Sequence, residues 1–174
     1  MPGPVFLRGE DVTLHPQGDE DVQFLQELIN HPDVWPSLSH IDPVTEAEER
    51  EWIEDTDRDS VDLLVCADGE PVGTIGLNQL NETWGLAELG YMIAPQAQGN
   101  GYATDAARRL VRYGFEDRRL EKILANVYET NPASQRVLEK VGFEQEGVLR
   151  EQAYVRGGRL DVIRYGLLAH EFDA

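Results

Sequence analysis

The amino-acid sequence predicts an α/β (α+β) domain in which a mixed, mostly antiparallel sheet carries helices on both faces. Two observations indicate this class. Apolar runs of strand length alternate along the chain with amphipathic helical segments. In addition, 41 % of the 174 residues are hydrophobic, which suits one core. There is no internal repeat and no linker rich in Pro, Gly or Ser, so residues 1–174 are expected to form a single domain.

The first half of the chain is predicted to form a strand, two helices and a hairpin, in the order Val5–Leu14, Asp19–Ile29, Thr45–Asp55, Val61–Cys66 and Val72–Leu77. Thr45 and Glu48 have the spacing of a capping box. Asp68-Gly69 is a dipeptide typical of tight hairpin turns. Pro32 and Pro36 interrupt the segment after the first helix. Pro43 precedes the second helix, Thr45–Asp55, and with its acidic surface we expect this region to be a flexible lid.

The second half is predicted to alternate strands and helices before a last hairpin around Gly157-Gly158. Its segments are Leu86–Ile93, a helix from about Tyr102 to Phe115, Lys122–Tyr128, a helix from Asn131-Pro132 to Gly142, Phe143–Val155 and Leu160–Leu168. Asn131 is a good N-cap residue, Pro132 suits the first helical position, and Gly142 suits a helix end. The whole order predicts a seven-stranded sheet.

The most informative segment is the glycine-rich turn Gln98-Gly-Asn-Gly-Tyr-Ala103 between a predicted strand and a predicted helix. A helix N-terminus presents unpaired backbone N–H groups and the positive end of the helix dipole. Gly99 and Gly101 lack a Cβ, so a phosphate could approach the main chain closely. The segment therefore indicates a pyrophosphate-binding turn.

Two common phosphate motifs do not fit this turn. A Walker loop requires Lys and then Ser or Thr after its last glycine, whereas Tyr102-Ala103 follows here. A dinucleotide fingerprint requires a third small residue at its set spacing and an acidic residue about 20 positions later, after another strand. Neither requirement is met.

The net charge of −18 is extreme for 174 residues, and only two of the basic residues, Lys122 and Lys140, are lysines. Diffuse acidity with so little lysine indicates adaptation to a salt-rich cytoplasm, where screening weakens self-repulsion. The alternative is attraction of a cationic substrate. The charge argues against nucleic acid as a partner.

Cysteine, histidine and hydropathy patterns exclude several other classes of protein. The single cysteine, Cys66, lies in an apolar run and is expected to be a buried structural thiol. The four histidines lack metal-ligand spacing, so no metal site is expected. The sequence has neither a run of about 20 apolar residues, as a membrane span needs, nor a basic-then-apolar signal pattern at its N-terminus. We therefore expect a soluble, cytoplasmic protein.

A second motif, Asn131-Pro-Ala-Ser134 running to Gly142-Phe143, follows the turn after one intervening strand. Together with Gln98-x-x-Gly101-x-Ala103, it resembles the paired motifs of the GNAT superfamily of N-acetyltransferases. Two further segments, Ala87-Glu-Leu-Gly-Tyr91 and Glu146-Gly-Val-Leu-Arg-Glu151, resemble its RimJ/RimL-like subgroup, which acetylates N-termini of ribosomal proteins. The resemblance spans nearly the whole chain.

The resemblance implies acetyl-CoA as the donor and direct acetyl transfer to an amine. It also implies that Leu86–Ile93 and Lys122–Tyr128 splay apart around the pantetheine arm. The expected cofactor-binding residues are Tyr91, Met92, Ile93, Gln98, Gly99, Asn100, Gly101, Tyr102, Ala103, Asn131 and Ser134. Backbone groups of residues 91–93 would bind pantetheine as an added strand does, and amides of residues 99–103 would bind the pyrophosphate.

The chemistry requires a base for the amine, a donor for the oxyanion and a donor for the leaving thiolate. We expect Glu88 to be the base, with Glu129 and Tyr128 as weaker candidates, and a backbone N–H near Ile93 to bind the oxyanion. Many family members place a Tyr seven residues after the Asn, where this chain has Leu138. We therefore expect Ser134 to serve the thiolate; its alternative is a structural helix-start hydroxyl.

Three functions follow from these observations. The leading one is acetylation of a protein N-terminus, such as that of a ribosomal protein. The second is acetylation of a small amine such as a polyamine or aminoglycoside, and the third is a non-catalytic acetyl-CoA sensor. We expect loops in residues 31–59 and the last hairpin to select the acceptor, and the protein to be a monomer or homodimer.

Overall fold

A computed structural model of the chain describes residues 2–55 and 59–173. Residues 1 and 174 of the predicted domain, and residues 56–58 of the predicted acceptor loop, lie outside the described residues. The strands are β1 (Leu7–Arg8), β2 (Val12–Pro16), β3 (Val61–Ala67), β4 (Glu70–Asn81), β5 (Leu86–Ile93), β6 (Lys122–Tyr128), β7 (Glu144–Val155) and β8 (Gly158–Leu168). The α-helices are α1 (Val22–Ile29), α2 (Glu46–Glu54), α3 (Tyr102–Glu116) and α4 (Pro132–Val141). Short 3-10 turns lie at Asp19–Asp21, Trp35–Ser37, Pro95–Ala97 and Ala169–Glu171.

The eight strands of the described residues form one sheet in the order β1-β2-β3-β4-β5-β6-β8-β7. Neighbours pair antiparallel except β5 and β6, which are parallel. The mixed, mostly antiparallel class is thus confirmed. The parallel pair is joined through α3, as expected of a crossover connection.

The prediction of seven strands is wrong, because residues 5–14 do not form a continuous strand. The chain reverses between β1 and β2, which pair with each other. Asp105, in the first turn of α3, holds this reversal: its carboxylate accepts hydrogen bonds from the backbone N–H groups of Glu10, Asp11 and Val12 at 3.0, 2.7 and 2.9 Å. A Cβ at Gly9 would lie only 2.5 Å from that carboxylate, so the turn fits closely around it.

The turn of the last hairpin is also displaced by one residue from the prediction. Val155 pairs with Gly158, so the two turn residues are Arg156 and Gly157, with φ of 49° and 86°. Both therefore adopt the left-handed region that a two-residue turn of this kind requires. Gly158 is the first residue of β8 rather than part of the turn.

Helices cover both faces of the sheet, as predicted. The main core joins α3 and α4 to one face, through residues such as Leu110, Val111 and Leu138. On the other face, Leu25 of α1 packs against Leu64 and Cys66. The strict alternation of β3, in which Leu63 and Val65 belong to the first face, is what places a helix on each side.

The local signals predicted for element ends are confirmed. Thr45 and Glu48 form the capping box of α2. Asp68 and Gly69 form the turn of the β3–β4 hairpin. Asn131 caps α4 by accepting a hydrogen bond from the Ser134 N–H, and Gly142 ends that helix in the left-handed conformation. These features depend on neighbouring residues alone, which is why short sequence patterns predict them.

Replacing Asp105 with Ala should destabilise the fold, because three backbone N–H groups lose a charged acceptor. We expect the free energy of unfolding to fall by about 2 kcal/mol, measured by urea denaturation. Asp117→Ala removes the same charge from an exposed site at the end of α3 and is the matched control. Equal midpoints for the two variants would contradict the proposed anchoring of the β1–β2 turn.

Candidate functional site

A cleft opens in the middle of the sheet where β5 and β6 separate. The two strands pair only at Leu86, Ala87 and Glu88 of β5. Beyond these residues β5 stays paired with β4 as far as Ile93, and β6 stays paired with β8 as far as Tyr128. The facing edges of both strands therefore carry backbone groups without a strand partner, as the expected splay requires.

The glycine-rich turn lies directly after β5 and leads into α3. Gly99 and Gly101 both have φ of +82°, and a Cβ added at either would meet nothing within 4 Å. Gly101 is the N-cap residue and provides no side-chain cap. The first N–H groups of a helix have no helical carbonyl partner, and Gly101 has no side chain to cap those of α3. This is the arrangement that suits an anion.

The polar side chains of the turn bond within it. The Gln98 side-chain amide donates to the Ile93 carbonyl at 3.0 Å, and that of Asn100 donates to the Ala97 carbonyl at 3.0 Å. Gln98 thereby fixes the turn to the end of β5. The nearby acidic residue, Asp105, uses both carboxylate oxygens on the β1–β2 turn. These bonds hold the turn in place around its backbone N–H groups.

Glu88 lies on the sheet face opposite the main core, at the last residue before the strands separate. Its neighbours Ala87 and Leu89 are buried in that core. The Asn126 side chain donates to Glu88 Oε1 at 3.0 Å, and its own Oδ1 accepts from Arg164 Nε at 3.2 Å. Among the described residues, Glu88 Oε2 has no hydrogen-bond partner, so this half-buried carboxylate keeps a free acceptor.

The two weaker base candidates are engaged in structural contacts. Glu129 accepts a hydrogen bond from the Asp161 N–H at 3.0 Å. The Tyr128 hydroxyl donates to the Leu38 carbonyl at 3.0 Å, and burial raises the pKa of Tyr128. Glu129 is exposed and follows the end of β6, whereas Glu88 is half-buried at the last residue before β5 and β6 separate.

On the other side of the cleft, Ser134 lies in the first turn of α4. Its Oγ contacts the Tyr91 hydroxyl at 2.5 Å, so the pair joins α4 to β5. Asn131 accepts from the Ser134 N–H at 3.1 Å and caps the helix. The cap therefore comes from Asn131, and the Ser134 hydroxyl bonds to a side chain rather than to the helix backbone.

The residue at the usual family Tyr position and the single cysteine both lie in the core. Leu138, at the position where many family members have Tyr, is 1 % exposed. Cys66 is fully buried, and burial raises the pKa of its thiol to about 11. Cys66 is therefore the structural thiol that was predicted, since thiolate is scarce at neutral pH.

The segment between α1 and α2 is attached at several points near the cleft. Asn30 bonds with both its amide nitrogen and its oxygen to the backbone of Val44, at 2.7 and 2.8 Å. The Tyr128 hydroxyl bonds to the backbone carbonyl of Leu38. Arg156, at the tip of the β7–β8 hairpin, has its guanidinium carbon 5.6 Å from the centre of the Trp35 ring. The two segments expected to select the acceptor thus contact each other.

The family of the chain is decided by its match to a known family. The model described as "Acetyltransferase (GNAT) domain" matches residues 11–144, more than half of the chain. The chain belongs to the GNAT acetyltransferases. It is therefore an N-acetyltransferase enzyme that uses acetyl-CoA as the acetyl donor.

Relatives of this GNAT chain carry names that refer to different acetyl acceptors or to none. It is 30% identical to "Uncharacterized N-acetyltransferase p20" of Bacillus licheniformis, covering 95% of this chain and 97% of the relative. It is 34% identical to "Putative ribosomal N-acetyltransferase YdaF" of Bacillus subtilis, over 67% of this chain and 64% of the relative. A solved structure of spermidine N-acetyltransferase from Vibrio cholerae, in complex with CoA and spermine, has a TM-score of 0.87 at 27% identity, covering 92% of this chain and 97% of that one.

Three residues of this GNAT site were not predicted from the sequence. Asn126 of β6 bonds to Glu88, and Arg164 of β8 bonds to Asn126. The Leu38 carbonyl accepts a hydrogen bond from the Tyr128 hydroxyl. Asn is depleted in strands, so its presence in the alternating run of β6 was a usable signal. The bond to Leu38 uses a backbone carbonyl and has no sequence signature.

Among the described residues, no helix has the length and apolar character needed to cross a membrane.

Proposed function

We propose that this enzyme acetylates the N-terminal amine of a protein, such as a ribosomal protein. The proposal is supported by the two RimJ/RimL-like segments around Glu88 and Glu146 and by the similarity to the putative ribosomal N-acetyltransferase. It is also supported by the sheet face beside the cleft, where Glu146 is paired with Lys122 at 2.7 Å and where Glu88 keeps one carboxylate oxygen without a partner in the part of the chain that the structure describes.

The proposed position of acetyl-CoA rests on two neighbouring features. The edge of β5 that faces β6 has no strand partner beyond Glu88, and the glycine-rich turn after β5 leads to the N-terminus of α3, which has no side-chain cap. In the proposed complex, backbone groups of residues 91–93 bind pantetheine as an added strand. Amides from Gly99 to Ala103 then bind the pyrophosphate. Asn131 and Ser134 border the same cleft from α4. The remaining predicted contacts, Gln98, Asn100 and Tyr102, line the turn.

In the proposed reaction, Glu88 accepts the proton of the attacking amine, directly or through water. The amine nitrogen forms a bond to the acetyl carbonyl carbon, and a backbone N–H near Ile93 binds the oxyanion. The C–S bond then breaks, and its electron pair leaves with sulfur. Ser134 donates a hydrogen bond to the departing thiolate, which finally takes a proton from solvent.

A polyamine is the second candidate acceptor, since a neighbour of the same fold is a spermidine acetyltransferase and the net charge of −18 attracts polycations. We further propose a cytoplasmic enzyme of a salt-rich cell, acting as a monomer or homodimer. A role as a non-catalytic acetyl-CoA sensor is disfavoured by the presence of both Glu88 and Ser134 beside the cleft.

Gly101→Ala should weaken acetyl-CoA binding by about tenfold or more. A Cβ at φ of +82° strains the turn and tilts the first N–H groups of α3. Affinity for acetyl-pantetheine, which lacks the pyrophosphate, should change little. Calorimetry with both donors measures the difference, and Gly157→Ala places the same strain in a distant turn as the control. Equal losses for both donors would contradict pyrophosphate binding at the turn.

Glu88→Gln should lower kcat by about 100-fold or more, because an amide cannot accept the amine proton. The amide keeps the size of the side chain, so the Kd for acetyl-CoA should stay within about twofold of wild type. Glu129→Gln is the matched control at the end of the next strand and should retain most activity. Wild-type turnover by Glu88→Gln would remove the base assignment.

The acceptor class is tested by CoA thiol release in molar KCl with peptides of varied N-termini, spermidine and spermine. Cys66 does not interfere in the native protein, since its thiol is buried. We expect one class of peptide to be acetylated at least tenfold faster than either polyamine. A preference for polyamines would establish the second candidate, and binding of acetyl-CoA without any transfer would establish the sensor.

A further inference from the structure

The contact between the Tyr91 and Ser134 hydroxyls crosses the cleft that divides the sheet. Tyr91 lies in the part of β5 that has left β6, and Ser134 is 43 residues later, in the first turn of α4. The oxygen atoms are 2.5 Å apart. The Tyr91 ring is partly buried against the main core and against a second group of buried side chains that includes Leu28, Val34 and Ile93. This packing fixes its hydroxyl in place.

Either hydroxyl of the pair is able to donate this hydrogen bond. Burial, the larger effect, raises the pKa of Tyr91, although the hydrogen bond with Ser134 opposes it, so the phenol keeps its proton at neutral pH. Its two acceptors are Ser134 Oγ at 2.5 Å and the Ser134 carbonyl oxygen at 3.5 Å, and the nearer is strongly preferred. We take Tyr91 as the donor to Ser134 Oγ, the arrangement in which the buried phenol places its proton on the nearer acceptor.

Ser134 is then left with its own hydroxyl proton to donate. The helix cap does not use this proton, because Asn131 accepts from the Ser134 N–H. A hydroxyl that already accepts a hydrogen bond becomes a stronger donor, since hydrogen bonds in a chain polarise one another. The Tyr91 contact thus fixes the Ser134 oxygen and strengthens its donor.

We propose that Tyr91 is a positioning residue for thiolate departure, which orients the Ser134 hydroxyl toward the sulfur of CoA. This inference rests on the role proposed above for Ser134. Tyr91 makes no bond to the reacting atoms and loses no proton during the reaction. As the C–S bond breaks, sulfur keeps the electron pair and accepts the Ser134 hydrogen bond, and solvent later supplies the proton. Many family members have a Tyr at the position of Leu138, which in this chain is buried in the core. The Tyr91–Ser134 pair supplies a hydroxyl in its place.

The first test is a double-mutant cycle on kcat, measured with the acceptor of highest turnover in the peptide and polyamine panel. Ser134→Ala should lower kcat by about 100-fold, and Tyr91→Phe by about tenfold, because one supporting hydrogen bond is lost. KM for acetyl-CoA should change by less than about threefold in Tyr91→Phe, since the ring stays in place. The double variant should be no slower than Ser134→Ala, because Tyr91 acts only through Ser134.

The second test needs no acceptor and responds to the sulfur alone. Calorimetry at pH 8 compares the Kd of CoA with that of desulfo-CoA, in which hydrogen replaces the thiol. Wild type should bind CoA more tightly by about fivefold or more, and this preference should fall toward one in both single variants. A purely structural role of Tyr91 would weaken both ligands equally. Tyr113→Phe, which removes a phenol hydroxyl on α3 beside Phe6, is the matched control.

The outcomes separate this inference from the proposed function. If Ser134→Ala keeps wild-type kcat and sulfur preference, the role of Ser134 fails, and that of Tyr91 fails with it. If Ser134→Ala loses both while Tyr91→Phe keeps both, only the positioning role is overturned. Additive losses in the double variant would also overturn it, because two independent roles would then be required.

Discussion

The site depends on one constraint, the separation of two parallel strands after only three paired residues. β5 and β6 remain in one sheet because each is held on its other side, β5 by β4 and β6 by β8. Between them, backbone N–H and C=O groups lack strand partners, and an unpaired backbone group is costly unless water or a ligand satisfies it. An extended ligand such as the pantetheine arm can therefore add to the sheet without displacing any strand.

The same architecture explains how a chain of net charge −18 can bind a polyanion. In the proposed complex, the groups that bind the polyanion at the glycine-rich turn are neutral backbone amides, aligned with the dipole of α3 and acting at contact distance. The acidic residue in this helix turn, Asp105, is bonded to three backbone N–H groups of the β1–β2 turn. More distant carboxylates are screened by salt. Local geometry thus outweighs the overall charge.

Polar groups reach the two sides of the cleft from different layers of the fold. Glu88 is supported from within the sheet, through Asn126 of β6 and then Arg164 of β8. Ser134 is supported from the helical layer, because Asn131 caps α4 and so frees the hydroxyl for Tyr91. The cleft therefore has a carboxylate on one side and a hydroxyl pair on the other, which are the two kinds of group that the proposed reaction uses.

By itself, the sequence determined the α/β class, most element boundaries, the capping box at Thr45, the left-handed Gly142 and the glycine-rich turn, because each depends on residues close in the chain. Only the tertiary structure decided the contacts between distant residues. The reversal that makes an eighth strand depends on Asp105, more than 90 residues away. The partners of Glu88 and Ser134 lie 38 and 43 residues from them. Such contacts follow from strand order and register, which are set by packing of the whole core.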